Sequence, residues 1–494
     1  MTPHTTLPAV AFSMTALDAQ ALLPVWILTG TALLALTVDL FSSRRGATWS
    51  AWTTLAGLLA AGWGLWRTYG LDRTVFAGMV RLDPFSFYFT ALIVGATLVS
   101  VLLSWDYLKR TDIHRGEYYA LVLFAAIGMV LMAQANDLVM IFLGLELMSL
   151  SLYVLAGIRT SRFESTEAAM KYFLLGAFAS GFLLYGIAFL YGATGSTNLE
   201  RMSGWLVESP LAGNPLVLLG VGLTLVGFAF KVAAVPFHMW TPDAYEGAPT
   251  SVTAFMAAGS KAAAFAALVR VSAVVLSNVP VPLSTMLTGV AILTLVVGNV
   301  VAILQSNLKR MLAYSSIAHA GYALVGVIAG SADGNGAVLF YVAVYAAMTL
   351  GAFGTLTLLG RGLDERLDVR ELGGVGKRHP VLAGLFTLFL LGLAGIPPTA
   401  GFTAKLYVFR AGVETHHVPL VIVALLASVV SVYYYLRPVV VMYMQEPSGS
   451  PVEISRSIPA ALALALTAAF TIVLGVLPGG LAETALKSVL ALLP

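Results

Sequence analysis

Residues 227–249 read Gly227-Phe-Ala-Phe-Lys231-Val-Ala-Ala-Val-Pro236-Phe-His238-Met-Trp-Thr-Pro-Asp243-Ala-Tyr-Glu246-Gly-Ala-Pro249. They close a long apolar run that begins near Asn214. Lys231 lies inside that run with no obvious route to water, and Pro236 follows five residues later. A proline removes a backbone donor and clashes with the carbonyl four residues back, so a membrane helix must loosen there. Freed carbonyls beside an ammonium form a polar pocket at membrane depth. Such pockets cost free energy, and chains that keep them usually move ions or protons through them.

The surrounding composition is that of a polytopic membrane protein. Of 494 residues, 59% are apolar and 10% charged, where a soluble domain carries about 25% charge. Mean hydropathy is +0.89. With no cysteines, disulfides, thiolate-held iron–sulfur clusters and cysteine nucleophiles are excluded. A net charge of +3 gives no reason to expect a nucleic-acid partner. The N-terminus lacks a basic segment before its first apolar run, so no cleavable signal peptide is expected.

A spanning helix needs roughly 20 apolar residues. The pattern predicts an all-α membrane protein with 14 transmembrane helices at about 20–41, 49–66, 83–105, 117–135, 137–158, 167–191, 214–239, 249–277, 282–304, 308–330, 335–360, 380–410, 416–444 and 458–477. Lys and Arg number 15 in the odd-numbered connections, including Arg44, Arg45, Arg361 and Arg366, against 7 in the even ones and the tail, where Arg270 is counted. Positive residues collect on the cytoplasmic side, so both termini are expected outside, on the periplasmic face of a bacterial inner membrane.

Segment 12 repeats the device of segment 7: Gly395-Ile-Pro397-Pro398-Thr-Ala-Gly401 is followed by Lys405. Interruptions at matching positions of two halves mark an internal repeat. Two inverted five-helix repeats are expected, each with a broken helix, at 117–277 and 282–444. Helices 1–3 (1–116) and the last helix with its tail (445–494) stand outside them.

Lys171, Lys231, Lys261 and Lys405 fall within predicted spans, joined by Glu146 and His319. Each central charge costs on the order of 2.5–3.5 kcal/mol, so the set demands a polar interior. Glu146 needs a cation, and Lys231 is the natural one; a structural ion pair locking two helices is the plainer alternative. Lys171 and Lys261 lack obvious acidic partners, and such lysines can alternate between neutral and charged, as a proton relay requires. The alternative is a lysine satisfied by carbonyls or by a hydroxyl such as Ser260. His319 can pass protons between its ring nitrogens or simply pack as a bonded histidine. His238 either gives protons access or caps a helix end with Asp243 and Glu246. Other chemistry is missing. Gly373-Gly-Val-Gly-Lys377 lacks the earlier glycine and the Ser or Thr of a phosphate loop, and His416-His417 has no further ligands, so no metal is expected.

These motifs resemble the antiporter-like membrane subunits of respiratory complex I, most closely the subunit N type. The likeness spans nearly the whole chain and rests on residues 231–249, on Tyr314-Ser-Ser-Ile-Ala-His319 and on Gly395-Ile-Pro-Pro-Thr-Ala-Gly-Phe402. The first motif is shared with sister subunits and with multisubunit sodium/proton antiporters. Lys405 points to the N type, since subunit M is expected to carry a glutamate there. The resemblance implies an ion pair of Glu146 and Lys231, relay lysines at 171 and 261, a terminal lysine at 405, and His319 on a central polar axis. It also implies proton translocation driven by quinone reduction elsewhere, no cofactor in this chain, and flavin and iron–sulfur clusters in partner subunits. The partners implied are other membrane subunits and the lipid bilayer, with quinone only indirectly. A sodium/proton antiporter subunit and a scaffold with structural buried charges are the rival readings.

Overall fold

The computed structural model describes residues 16–42, 46–280, 283–360, 365, 367–447 and 454–492. The chain termini and Arg44, Arg45, Arg361 and Arg366, all used in the orientation argument, lie outside these residues. The long helices are α1 (Leu23–Phe41), α2 (Gly46–Arg67), α3 (Pro84–Arg110), α4 (Gly116–Gln134), α5 (Leu138–Ala156), α6 (Phe163–Thr194) and α7 (Pro215–Val232). After them come α8 (Thr250–Asn278), α9 (Leu283–Ile303), α10 (Leu308–Ala329) and α11 (Ala332–Leu358). The last are α12 (Pro380–Ala394), α13 (Ala400–Glu414), α14 (Val418–Met444), α15 (Ile458–Val476) and α16 (Gly479–Leu490).

Among the described residues, 12 helices are long and apolar enough to cross a membrane. The expected span at 49–66 appears as α2, which has the length but interleaves tryptophans with threonine and glycine. The expected span at 380–410 is two helices, α12 and α13, separated at 395–399. The connection between α2 and α3 holds a small hairpin. β1 (Arg73–Val75) pairs antiparallel with β2 (Val80–Leu82). Alternating residues supply the strands, and Gly78 at φ 93° closes the turn.

The bundle has a clear centre. Every residue of the apolar window in α8 is buried, and 94% in α10 and α11, against 33% in α1 and α9. Alanine and glycine fill α8, so neighbouring backbones approach closely.

Two connections show why helices begin where they do. Asp137 caps α5 by accepting from Val139 N at 2.8 Å, and it bridges to Asn198. Asn307 caps α10 by accepting from Lys309 N at 2.9 Å, and it bridges to Asp368. A side-chain acceptor there satisfies backbone donors that have no helical partner.

Candidate functional site

Both predicted breaks are present. α7 ends at Ala233, which takes the left-handed conformation at φ 63°; α12 ends at Gly395, also left-handed at φ 83°. A cis peptide precedes Pro236 in the first break and Pro398 in the second. In the first, Trp240 Nε1 donates to the Phe230 carbonyl at 3.0 Å, and Val235 N donates to Thr294 Oγ1 on α9 at 2.9 Å. The released backbone groups are thus partly satisfied by side chains.

Lys231 is buried, and its Nζ donates to Ser149 Oγ on α5 at 2.7 Å. The rings of Phe230, Tyr153 and Tyr172 surround it, with centroids at 5.5, 5.7 and 5.8 Å. Glu146 is half-buried on the same α5 face, and its carboxylate accepts from Ser180. Among the described residues no Glu146 oxygen stands at ion-pair distance from Lys231, which corrects the expected direct pair. Ser149 lies three residues beyond Glu146, nearly one turn on, so the hydroxyl takes the position next to the ammonium.

Lys171 is likewise not the partnerless amine expected. Its side chain is 45% exposed and bonds Glu167 and Asp243, each at 2.8 Å. Glu167 stands one turn earlier on α6, and Asp243 comes from the connection after the first break. Asp243 and Glu246, expected to cap a helix end together with His238, are engaged by other cations. Arg310 reaches Asp243 at 2.7 Å and Glu246 at 2.8 Å. Burial alone would raise Asp243, but Lys171 and Arg310 outweigh it and hold its carboxyl below the usual carboxylate range. His238 is buried, which pushes its ring downward and leaves it neutral at pH 7, and its Nδ1 has no hydrogen-bond partner among the described residues. The charged groups around Lys171, Asp243 and Arg310 line a polar cavity of about 430 Å³.

Lys261 follows a π-helical turn at Met256–Ser260, a helix irregularity frequent at functional sites. Its Nζ donates to the Ser316 carbonyl of α10 beneath the Tyr345 ring. Ser260 is not its partner, because that hydroxyl bonds its own helix at Met256. Lys261 and His319 both border a small cavity of about 10 Å³, whose surface is apolar. His319 is buried with both ring nitrogens engaged, Nδ1 with Tyr341 Oη at 2.6 Å and Nε2 with Tyr435 Oη at 3.1 Å. Lys405 is also buried; it donates to the Ala394 carbonyl at 2.8 Å and Ser428 Oγ at 2.9 Å, over the Tyr322 ring at 4.6 Å.

The sequence did not point to three parts of this interior. Arg270, counted above as a loop residue, is buried in α8 and bonds Asp83 at 2.8 and 3.0 Å. Tyr341 and Tyr435 flank His319, but tyrosines in apolar helices look like ordinary packing. Glu365 accepts from Tyr107 and Thr250, and although burial pushes its carboxyl upward, Lys309, Tyr107, Arg159 and Arg162 bring it below the usual range. Asp83 immediately precedes the Pro84 that opens α3, and this was the one available signal for the first pair.

Residues 135–431 match the family described as NADH:quinone oxidoreductase/Mrp antiporter, TM. The NADH-quinone oxidoreductase subunit N of Trichlorobacter lovleyi is 43% identical over 473 residues, covering 96% of this chain and 97% of that protein. A chain of respiratory complex I from Thermus thermophilus, solved with bound aureothin, superposes with a TM-score of 0.80 at 36% identity, over 93% of this chain and 98% of that one. A chain of the Mrp complex from a Dietzia species superposes at 0.81 with 22% identity, over 96% and 97%; that likeness is one of fold.

Proposed function

We propose that this chain, which belongs to the NADH-quinone oxidoreductase subunit N family and is a proton-translocating membrane subunit of that translocase, carries its protons along Lys231, Lys261, His319 and Lys405. The observation that supports this most directly is the middle of the series. Lys261 and His319 border the same small cavity, and both ring nitrogens of His319 are bonded to tyrosine hydroxyls. An imidazole bonded on both sides can take a proton on one nitrogen and release it from the other.

The remaining residues take roles at the ends of this series. Lys171, with Asp243 and Arg310, forms the charged mouth, and neutral His238 lies between that mouth and the first break. Glu146 acts on Lys231 through Ser149 and their shared helix rather than by direct pairing. Lys405 is the last amine before release. The two five-helix repeats, 117–277 and 282–444, are supported by the matched breaks and by the matched caps at Asp137 and Asn307. The chain's partners are other membrane subunits. We place the redox groups, flavin and iron–sulfur clusters, in partner chains, with quinone acting on this one indirectly. We also place both termini on the periplasmic face of a bacterial inner membrane. Because the chain has no cysteine, single-cysteine labelling at Glu208 and Lys377 would fix the orientation.

The test of the relay is Glu146→Gln with Lys261→Ala. Vesicles of each variant should keep quinone reductase activity while translocating fewer protons per electron. Normal stoichiometry in both would remove the relay and leave these residues a structural part.

A further inference from the structure

A groove of about 920 Å³ runs beside α3, walled by α2, α11, α15 and α16, none of which carries the relay amines. On α3 its floor is Phe87, Ala91, Gly95 and Val99, four residues apart and so on one helix face. From Pro84 to Val99 the groove spans 15 residues, about 22 Å at 1.5 Å each. Half a bilayer, with its headgroup layer, is about 20–22 Å deep. A spanning partner helix would need the full depth.

The two ends differ in chemistry. The inner end, at Val99 and Leu350, is apolar. At the outer end stand Trp66, Tyr69 and Lys487, and tryptophan and tyrosine mark the headgroup level. The two aliphatic hydroxyls there are already used, Thr484 bonding the Gly480 carbonyl and Ser488 that of Thr484. Lys487 pairs with Glu483 at 2.7 Å, both exposed. Such a pair is weak, and an ammonium has further protons to donate. The groove is also open: a Cβ added at Gly62 or Gly95 would meet no atom within 4 Å.

We propose that the groove is a binding site for one glycerophospholipid of the leaflet at that face, its acyl chains along Phe87–Val99 and its phosphate on Lys487. The lipid would join α2 to α15 and α16, on the part of the chain outside the proposed repeats.

The test uses the complete membrane complex equilibrated with a phosphatidylglycerol bearing a photoreactive acyl chain, then washed in detergent and irradiated. In the wild type, label should remain on α3 peptides while it is lost from the exposed face of α6 at Phe178 and Tyr185. Gly95→Leu should lower the retained α3 label by tenfold or more without loss of assembled complex. Should that variant fail to assemble, Gly62→Leu replaces it with the same expectation. Lys487→Gln should lower the label about fivefold, the worth of one lysine at a charged surface. Label that washes from α3 as fast as from α6 means only exchanging bilayer lipid and overturns the proposal. Unchanged label in the leucine variant overturns it too, as does a cross-link from the groove to a protein helix.

Discussion

At the first break Lys231 depends on the hydroxyl of Ser149, contributed by another helix, whereas at the second Lys405 holds both Ser428 and the Ala394 carbonyl of its own break. Both breaks have a left-handed residue, a prolyl turn and a buried amine, but Lys231 precedes its break on α7 and Lys405 follows its own on α13. The difference arises in the released carbonyls. The Phe230 carbonyl is bonded by the indole of Trp240, and Lys231 reaches across to Ser149 on α5. Among the described residues no indole covers the Ala394 carbonyl, and Lys405 bonds it directly. One device thus yields two settings for a buried amine. The first answers to its neighbour, with Glu146 on that same helix; the second answers to its own backbone.

The largest effect should come from denying the second amine its proton exchange. Lys405→Arg keeps the charge but cannot release a proton. Translocation in vesicles should then fall about tenfold or more, the scale of a one-unit pKa mismatch, with quinone reductase retained. Lys405→Ala should match it. An arginine variant that pumps normally would make Lys405 a fixed charge and end the comparison.

The contrast in partners sharpens next. Ser149→Ala leaves the Lys231 ammonium without its only hydrogen-bond acceptor among the described residues, a loss of about 1–3 kcal/mol. Ser428→Ala leaves Lys405 the Ala394 carbonyl, so the loss should be nearer 0.5–1.5 kcal/mol. Proton-to-electron ratios for the two variants should therefore drop more for Ser149→Ala. Equal drops would show that the carbonyl contact contributes nothing.

The smallest effects concern the left-handed residues, and they should have opposite signs. Ala233→Gly relieves a side chain held at φ 63° and should raise the thermal midpoint, by up to about 1 kcal/mol of stability. Gly395→Ala imposes the same strain at φ 83° and sets a Cβ 2.9 Å from Lys405 Cδ. It should lower the midpoint and reduce pumping as well. A rise in both would mean that the two turns do not carry equivalent strain.

The sequence made some of this legible and hid the rest. Proline and glycine punctuate locally, so both breaks could be read within a few residues. A buried amine in an apolar run is costly enough to stand out, and Lys231, Lys261 and Lys405 are all buried as expected. Partnership is another matter, since it depends on helices distant in sequence. Glu146 and Lys231 invited pairing by charge, yet Ser149 stands between them in function. Lys171 looked isolated because Asp243 reaches it from 72 residues away. Arg270 was read as a loop residue because its position near a segment end allowed it, while its partner lies 187 residues earlier.

That last pair bears on how the chain is made. Asp83 precedes Arg270 in synthesis, so its helix is already in the bilayer when α8 emerges from the insertion machinery. A guanidinium facing lipid alone is disfavoured, though less near a helix end than at its centre. The waiting carboxylate offers it a berth at once, and the arriving helix is drawn inward, away from lipid and beside α3. In the folded bundle this pair ties α8, whose apolar window is wholly buried, to the start of α3.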